Sequence, residues 1–213
     1  MTENIANGGA WKKIATRQFA NGGSSYALVG SLLLATNGQF SDSKKNLFEF
    51  LDLSVEDSSW ETIELGMPYL PDNHHIVDSC MIAINDTAFI LIGGSTYKEE
   101  SWLFAGSLTQ IYNFQTGEWT RMPDLNPGRS DHACMRYLDG VLLAGGVTQA
   151  NVGGGGMVKR DVNFFNMTSS TWQEFPPLNY YRSDHILVPV DEIPTVIGDI
   201  RAQYSEQFVD GSW

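Results

Sequence analysis

A small set of markers returns along this chain at nearly constant spacing, and this constrains the fold more than any other feature. Gly93-Gly94 follows the apolar run Phe89 to Ile92, and Gly145-Gly146 follows Val141 to Ala144. Asn37-Gly38 after Leu32 to Thr36, and Gly198-Asp199 after Thr195 to Ile197, stand in the same place. The first members lie at 37, 93, 145 and 198, so the intervals are 56, 52 and 53 residues. Arg129-Ser130-Asp131-His132 recurs as Arg182-Ser183-Asp184-His185, again 53 residues on. An aromatic precedes a tryptophan by seven residues twice, Tyr112 before Trp119 and Phe165 before Trp172. Independent markers in one order at one period define an array of small supersecondary units.

Punctuation within a unit gives its plan. Asp131 to Tyr137 is a short apolar-rich run, and Asp139-Gly140 is a dipeptide suited to a tight hairpin. Val141 to Ala144 is a second strand, Lys159 to Met167 a third, and Thr171 to Phe175 a fourth that Pro176-Pro177 stops. The preceding unit repeats the plan, with Asn85-Asp86 at its first turn, Thr116-Gly117 at its last and Pro123 after it. No segment carries a capped 3.6-residue apolar period. Four short antiparallel strands per repeat of this length is the arithmetic of a propeller blade. A lone four-stranded sheet leaves both faces in water; blade stacked on blade buries them.

The order Arg…His, apolar run, Gly-Gly, loop, Tyr/Phe, turn, Trp, Pro resembles the kelch repeat. The resemblance covers about residues 10 to 213 and is sharpest over 74–126 and 129–179. It implies an all-β fold, a kelch-type β-propeller of about four four-stranded antiparallel blades in an incomplete ring. The units fall at about 17–63, 74–126, 129–179 and 182–213, with residues 1–16 as the end of a preceding blade. The first unit departs from the pattern, with Asn37-Gly38 for the glycine pair. The last is compressed after Gly198-Asp199, which leaves Trp213 without a firm counterpart. Two closures compete. In one, the strand around Trp11 pairs with the final unit and closes a four-bladed ring. In the other, more blades are needed; the resemblance, which implies larger rings, favours this second closure.

Composition narrows the function. The 213 residues carry 25 Asp and Glu against 13 Lys and Arg, a net charge of −12. That balance excludes nucleic acid as the main partner, since phosphates need a basic footprint, and disfavours an anionic membrane. With 18% charged and 12% aromatic residues the chain is not intrinsically disordered. The first 30 residues lack a signal peptide's apolar stretch, and two cysteines make no disulfide framework. The expectation is a cytoplasmic location, or an extracellular one if a longer chain carries a signal peptide.

Several residues invite a chemical reading. Trp60, Trp119 and Trp172 suit a ligand cage, but equivalent positions in successive repeats point to blade packing. Gly153 to Gly156 resembles a phosphate loop, yet no Lys-Ser/Thr follows, so a flexible connector is the better reading. His132 and Cys134 share a strand face as a metal pair would, but the next repeat offers His185 and Leu187, which makes the cysteine position a small apolar core site. A Cys80–Cys134 disulfide is not expected, because stacked sheets stand about 10 Å apart. His74-His75 falls in a polar loop, and His132 and His185 anchor backbone near the inner strands. Asn85-Asp86-Thr87 and Asn166-Met167-Thr168 match the N-glycosylation pattern at turns. Neither a catalytic constellation nor a cofactor or metal set emerges.

Function in a propeller lives on the loops of one end. The connectors 38–46, 95–106 and 147–158 and the inter-blade segments 67–75, 123–131 and 176–184 are the candidates. Tyr97, Trp102 and Phe104 in the second are residue types of interface anchors. Tyr180 and Tyr181 precede an inner strand, and Asp131 and Asp184 suggest an acidic rim for a basic peptide. The reading is a non-catalytic protein–protein interaction module. The alternatives are a channel-site enzyme or sugar-binding propeller, and the substrate-recognition part of a ubiquitin ligase adaptor, which needs a second domain.

Overall fold

The computed structural model describes residues 13–18, 22–36, 47–70, 75–98, 101–149, 156–199 and 204–213, with backbone alone at His75, 97–98 and 101–105. Trp11, Asn37-Gly38, His74 and Gly153 to Gly155 lie outside the described residues, as do the side chains of Tyr97, Trp102 and Phe104. Alternating and apolar runs become strands, and turn residues end them. The first sheet runs β1 (Tyr26–Val29), β2 (Leu32–Thr36), β3 (Leu47–Asp52) and β4 (Glu61–Glu64). Next come β5 (His75–Val77), β6 (Cys80–Asn85), β7 (Ala88–Ile92), β8 (Ser95–Lys98), β9 (Ser101–Ala105), β10 (Thr109–Asn113) and β11 (Glu118–Arg121). Of these, β6, β7, β10 and β11 form the second sheet, while β5, β8 and β9 form a small separate one. Then follow β12 (Ala133–Tyr137), β13 (Gly140–Ala144), β14 (Val147–Gln149), β15 (Gly156–Val158), β16 (Val162–Asn166) and β17 (Thr171–Phe175). The third sheet is β12-β13-β16-β17, and β14 and β15 make a hairpin of their own. The last sheet is β18 (Ile186–Val190), β19 (Ile193–Ile197) and β20 (Glu206–Gln207).

The sheets form a four-bladed propeller, with the inner strands β1, β6, β12 and β18 in succession around the axis. Among the described residues there is no helix. The connectors 95–106 and 147–158, expected as loops, are largely hairpins (β8–β9 and β14–β15) that extend beyond their blades. His75, expected in a polar loop, is in β5 and pairs with Tyr97.

Packing between blades explains the sequence pattern. Ala27, Val29, Leu34 and Phe48 of the first blade meet Met81, Phe89, Leu91 and Trp119 of the second. The opposite face of the second blade, with Cys80, Ile90 and Ile92, meets Val141, Leu143 and Phe165. Ala133, Met135, Leu142 and Phe164 then meet Leu187 and Val196. Strands β7 and β13 are therefore buried at every residue. On the last blade Ile186, equivalent to a residue of these interfaces, is 55% exposed.

The repeated tryptophans stand in matching surroundings. Tyr112 is the direct cross-strand partner of Trp119, as Phe165 is of Trp172. Each indole N–H donates to a carbonyl just past the preceding blade's outer strand: Trp119 to Leu65 at 3.0 Å, Trp172 to Pro123 at 2.9 Å. Trp213 donates to Pro176 at 2.8 Å, so it is the last blade's counterpart despite the compressed sequence before it.

Each glycine pair receives the next blade's Arg-Ser-Asp-His segment. The Gly94 N–H donates to the Arg129 carbonyl at 2.7 Å, and the Gly146 N–H to the Arg182 carbonyl at 2.8 Å. A side chain at Gly145 would place its Cβ 2.6 Å from that Arg182 oxygen and 2.7 Å from His185 Cε1, at a φ of +62°. Gly145→Ala is therefore expected to destabilise the protein by roughly 3 kcal/mol or more in urea unfolding, combining left-handed strain with a backbone clash. Gly117→Ala, where φ is +71° but the space is open, should cost only about 1 kcal/mol. Trp119→Ala should cost ~3–5 kcal/mol as a buried large-to-small change.

Candidate functional site: the axial mouth

Antiparallel topology puts the start of every inner strand, the end of every second strand and the inter-blade connectors at one end of the propeller. A ladder of backbone hydrogen bonds ties the inner-strand starts together there. The Asp78 N–H donates to the Gly23 carbonyl at 2.9 Å, Asp131 to Asp78 at 3.0 Å, and Asp184 to Asp131 at 3.1 Å. Asp78, Asp131 and Asp184 hold φ of 53°, 54° and 53°, a left-handed geometry that Asp tolerates better than most residues. The chain thus steps from blade to blade along a ladder that carries one carboxylate per rung. The Asp131 carboxyl accepts from Ser130 Oγ at 2.7 Å. Burial raises its pKa, Ser130 opposes the rise and the charge of Asp184 adds to it.

Behind the mouth lies an open cavity of about 370 Å³, lined by Ser25, Tyr26, Cys80, His132, Cys134, His185 and Val188 among others. Every blade contributes an inner strand to it. The expected absence of a Cys80–Cys134 disulfide is corrected here: the two residues are bonded, with Cα atoms 6.0 Å apart. Blades are wedges, and their inner strands converge on the axis far more closely than two sheets stacked face to face. The pairing also removes Cys134 from the metal reading, and no cluster of His, Cys, Asp and Glu among the described residues suits a metal.

His132 and His185 are buried beside the glycine pairs, the first against Gly93 and the second against Gly145. Neither ring nitrogen of either residue has a well-formed hydrogen bond. Burial first, then the charges of Arg129 and His185, lower the His132 pKa to about 3. Burial and then Arg182 lower that of His185 to about 4, against opposing contributions from Asp199, the Ala144 carbonyl and Asp184. Both rings are neutral in the folded protein at pH 7.

Three of the four mouth segments are held from below by an arginine, buried at Arg129 and Arg182 and half-buried at Arg17, with partners that the sequence did not reveal. Arg182 donates through Nε to Glu206 at 2.9 Å and through its terminal nitrogens to the carbonyls of Gly198 and Tyr204 at 2.7 and 2.5 Å. Arg17 repeats this on Glu49 at 2.7 Å and on the Thr36 carbonyl at 2.9 Å. Arg129 reaches the carbonyls of Gly145 and Asp161 and the side chain of Asn163, which replaces the carboxylate. Burial pulls the Arg129 pKa down to about 10, which leaves it charged. The third-strand acids are the missed signal: Glu49 stands between Phe48 and Phe50 in β3, where an unpaired acid would be costly.

Aromatics crown this arrangement. Tyr180, Tyr181 and Tyr204 are 47%, 61% and 63% exposed. Tyr180 stacks on Tyr204 at 5.8 Å between ring centroids, with the Arg182 guanidinium 5.8 Å from the Tyr180 ring. Arg160 lies 5.8 Å from the Tyr181 ring. Tyr180 and Tyr181 therefore sit in the same connector that delivers Asp184, and Tyr204, which the sequence did not single out, joins them across the blade. Backbone pairing sets Tyr97 opposite Trp102 on the β8–β9 hairpin, and β9 contacts β14 of the next blade.

No family model matches the chain. A Kelch-like protein, terF, of Aspergillus terreus (strain NIH 2624 / FGSC A1156) is 32% identical over 109 residues, 50% of this chain and 22% of terF. Beta-scruin of Limulus polyphemus is 29% identical over 89 residues, 41% of this chain and 9% of that protein. The chain thus matches about a fifth of the length of the first relative and about a tenth of the second. The solved structure of YjhT superposes with a TM-score of 0.69 at 14% identity, over 87% of this chain and 60% of that one, a likeness of fold alone. The repeats are kelch repeats, and the chain is a kelch-type β-propeller.

The buried neutral histidines set a pH dependence. Their folded pKa values of about 3 and about 4 lie below the ordinary 6.5, so the unfolded chain binds protons first as pH falls. Their contribution is complete above pH about 6.5 and is lost progressively towards pH about 3 to 4. Each pKa unit corresponds to about 1.4 kcal/mol per histidine. Urea midpoints measured from pH 7 to 4 should fall steeply, and His185→Gln should flatten that fall.

Proposed function

We propose that this propeller is a protein-interaction module whose mouth docks a polar or basic segment of a partner protein. The observation that carries the reading is an exposed tyrosine ridge, Tyr180 and Tyr181 in the connector that also presents Asp184, with Tyr204 stacked on Tyr180 from across the blade. Tyrosine supplies large contact area at low cost in side-chain entropy, and aromatic anchors dominate interface energetics. The carboxylates of Asp131 and Asp184, within a chain of net charge −12, steer a cationic partner rather than an acidic one. The β8–β9 hairpin, which bears Tyr97, Trp102 and Phe104, rises from the same end and extends the surface. The two kelch-type relatives support the same class of role.

Peptide arrays that vary net charge, read by fluorescence polarisation, test the reading. Lys- and Arg-containing peptides should bind more tightly than acidic ones of equal length, with affinity falling as salt rises. Tyr181→Ala and Asp184→Asn should each weaken binding by roughly tenfold, a change of about 1.4 kcal/mol, while shifting Tm by only about 2 °C. Equal binding of acidic peptides, or retention of affinity in both variants, contradicts the reading.

A further inference from the structure

The two sequons and the disulfide belong to one argument. Asn85 ends β6 at the tip of the β6–β7 hairpin, and Cys80 begins the same strand at the axial cavity. Five residues of extended chain, about 17 Å, separate them. Asn85 is therefore at the end of the propeller opposite the mouth. Its side chain is exposed, and its Oδ1 accepts the Thr87 N–H at 2.8 Å and the Thr87 hydroxyl at 3.1 Å. The side-chain oxygen is thus occupied by the residue that completes the acceptor pattern, while the exposed end of the strand leaves room for a bulky substituent. Asn166 differs. It is half-buried, its Nδ2 donates to Asp139 Oδ2 at 3.0 Å, and its Oδ1 accepts the Ser169 N–H at 2.8 Å.

The Cys80–Cys134 bond supplies the independent observation. It joins the inner strands of two blades across 54 residues, and no described cysteine is left free. Such a structural bond forms and persists in oxidising compartments, and these include the one in which asparagines receive glycans. We propose that Asn85 carries an N-linked glycan on the end of the propeller opposite the docking mouth, and that the chain matures in an oxidising, glycosylating compartment. In the transfer, Asn85 Nδ2 bonds to the anomeric carbon of a lipid-pyrophosphate-linked oligosaccharide. The anomeric C–O bond breaks, the lipid pyrophosphate leaves with the electron pair, and Nδ2 gives up one proton. In the oxidation, the two thiols lose two electrons and two protons to a disulfide acceptor of the same compartment. A glycan at Asn85 shields the far end and leaves Tyr180, Tyr181 and Asp184 open to a partner.

The test uses the full-length protein from its native cells, alkylated in denaturant without reductant so that any free thiol is trapped. It is then treated with a peptide-N-glycosidase in heavy-oxygen water and mapped by mass spectrometry. Asn85 should be recovered as heavy-oxygen aspartate, with occupancy higher than at Asn166, and the Cys80 and Cys134 peptides should be linked and unalkylated. In matched cells the glycosidase-sensitive shift at this site should disappear in Asn85→Gln and Thr87→Ala but survive in Thr87→Ser, which keeps the acceptor pattern. An unmodified Asn85 in the mature protein overturns the glycan, and alkylated Cys80 and Cys134 overturn the compartment.

Discussion

The Arg-Ser-Asp-His segment of one blade fits into the glycine turn of the blade before it, and the rest of the structure follows from that fit. The carbonyl of Arg129 accepts the Gly94 N–H, and the carbonyl of Arg182 accepts the Gly146 N–H. The same segments place His132 and His185 where any side chain on Gly93 or Gly145 would collide with them. Sheet faces such as those of β7 and β13 are apolar throughout and stay out of water only while the neighbouring blade is in register. The tryptophan bonds to Leu65, Pro123 and Pro176 repeat the lock at the outer edge. The second, third and fourth blades are thus each fixed to the one before at both the axis and the rim.

A locked inner edge is also what makes a mouth. Positive φ at Asp78, Asp131 and Asp184 turns the chain so that peptide N–H groups bridge blades and carboxylates are left at the opening. Arginines hold the carbonyls beneath, and the half-buried pair Arg17–Glu49 and the buried pair Arg182–Glu206 fix orientation more than they add net stability. The tyrosines stand on this rigid base, so little ordering remains to be done when a partner binds.

Much of this is legible in the sequence. Apolar runs ended by glycine pairs located the second strands, and Asp139-Gly140 and Thr116-Gly117 located the turns. The disulfide is not legible, because the spacing of flat stacked sheets does not hold for wedges, whose inner edges converge to 6.0 Å between Cα atoms. The arginine clamps were hidden for a different reason. Their partners lie 32, 34 and 24 residues further on, at Glu49, Asn163 and Glu206, across connectors of unequal length, so no fixed interval betrays them. The β8–β9 and β14–β15 hairpins look like loops in the sequence because glycine, serine and charged residues interrupt their alternation. Tyr204 lacked any repeat counterpart to draw attention to it.

Residue-resolved amide hydrogen exchange addresses the inter-blade lock most directly. The account predicts that the N–H groups of Gly94, Asp131, Gly146 and Asp184, all bonded across blade boundaries, exchange together and only with large-scale opening of the propeller. Rapid exchange of these four, at the rate of an exposed turn amide such as that of Asp57, would show that the blades are not locked at the axis and would contradict the account.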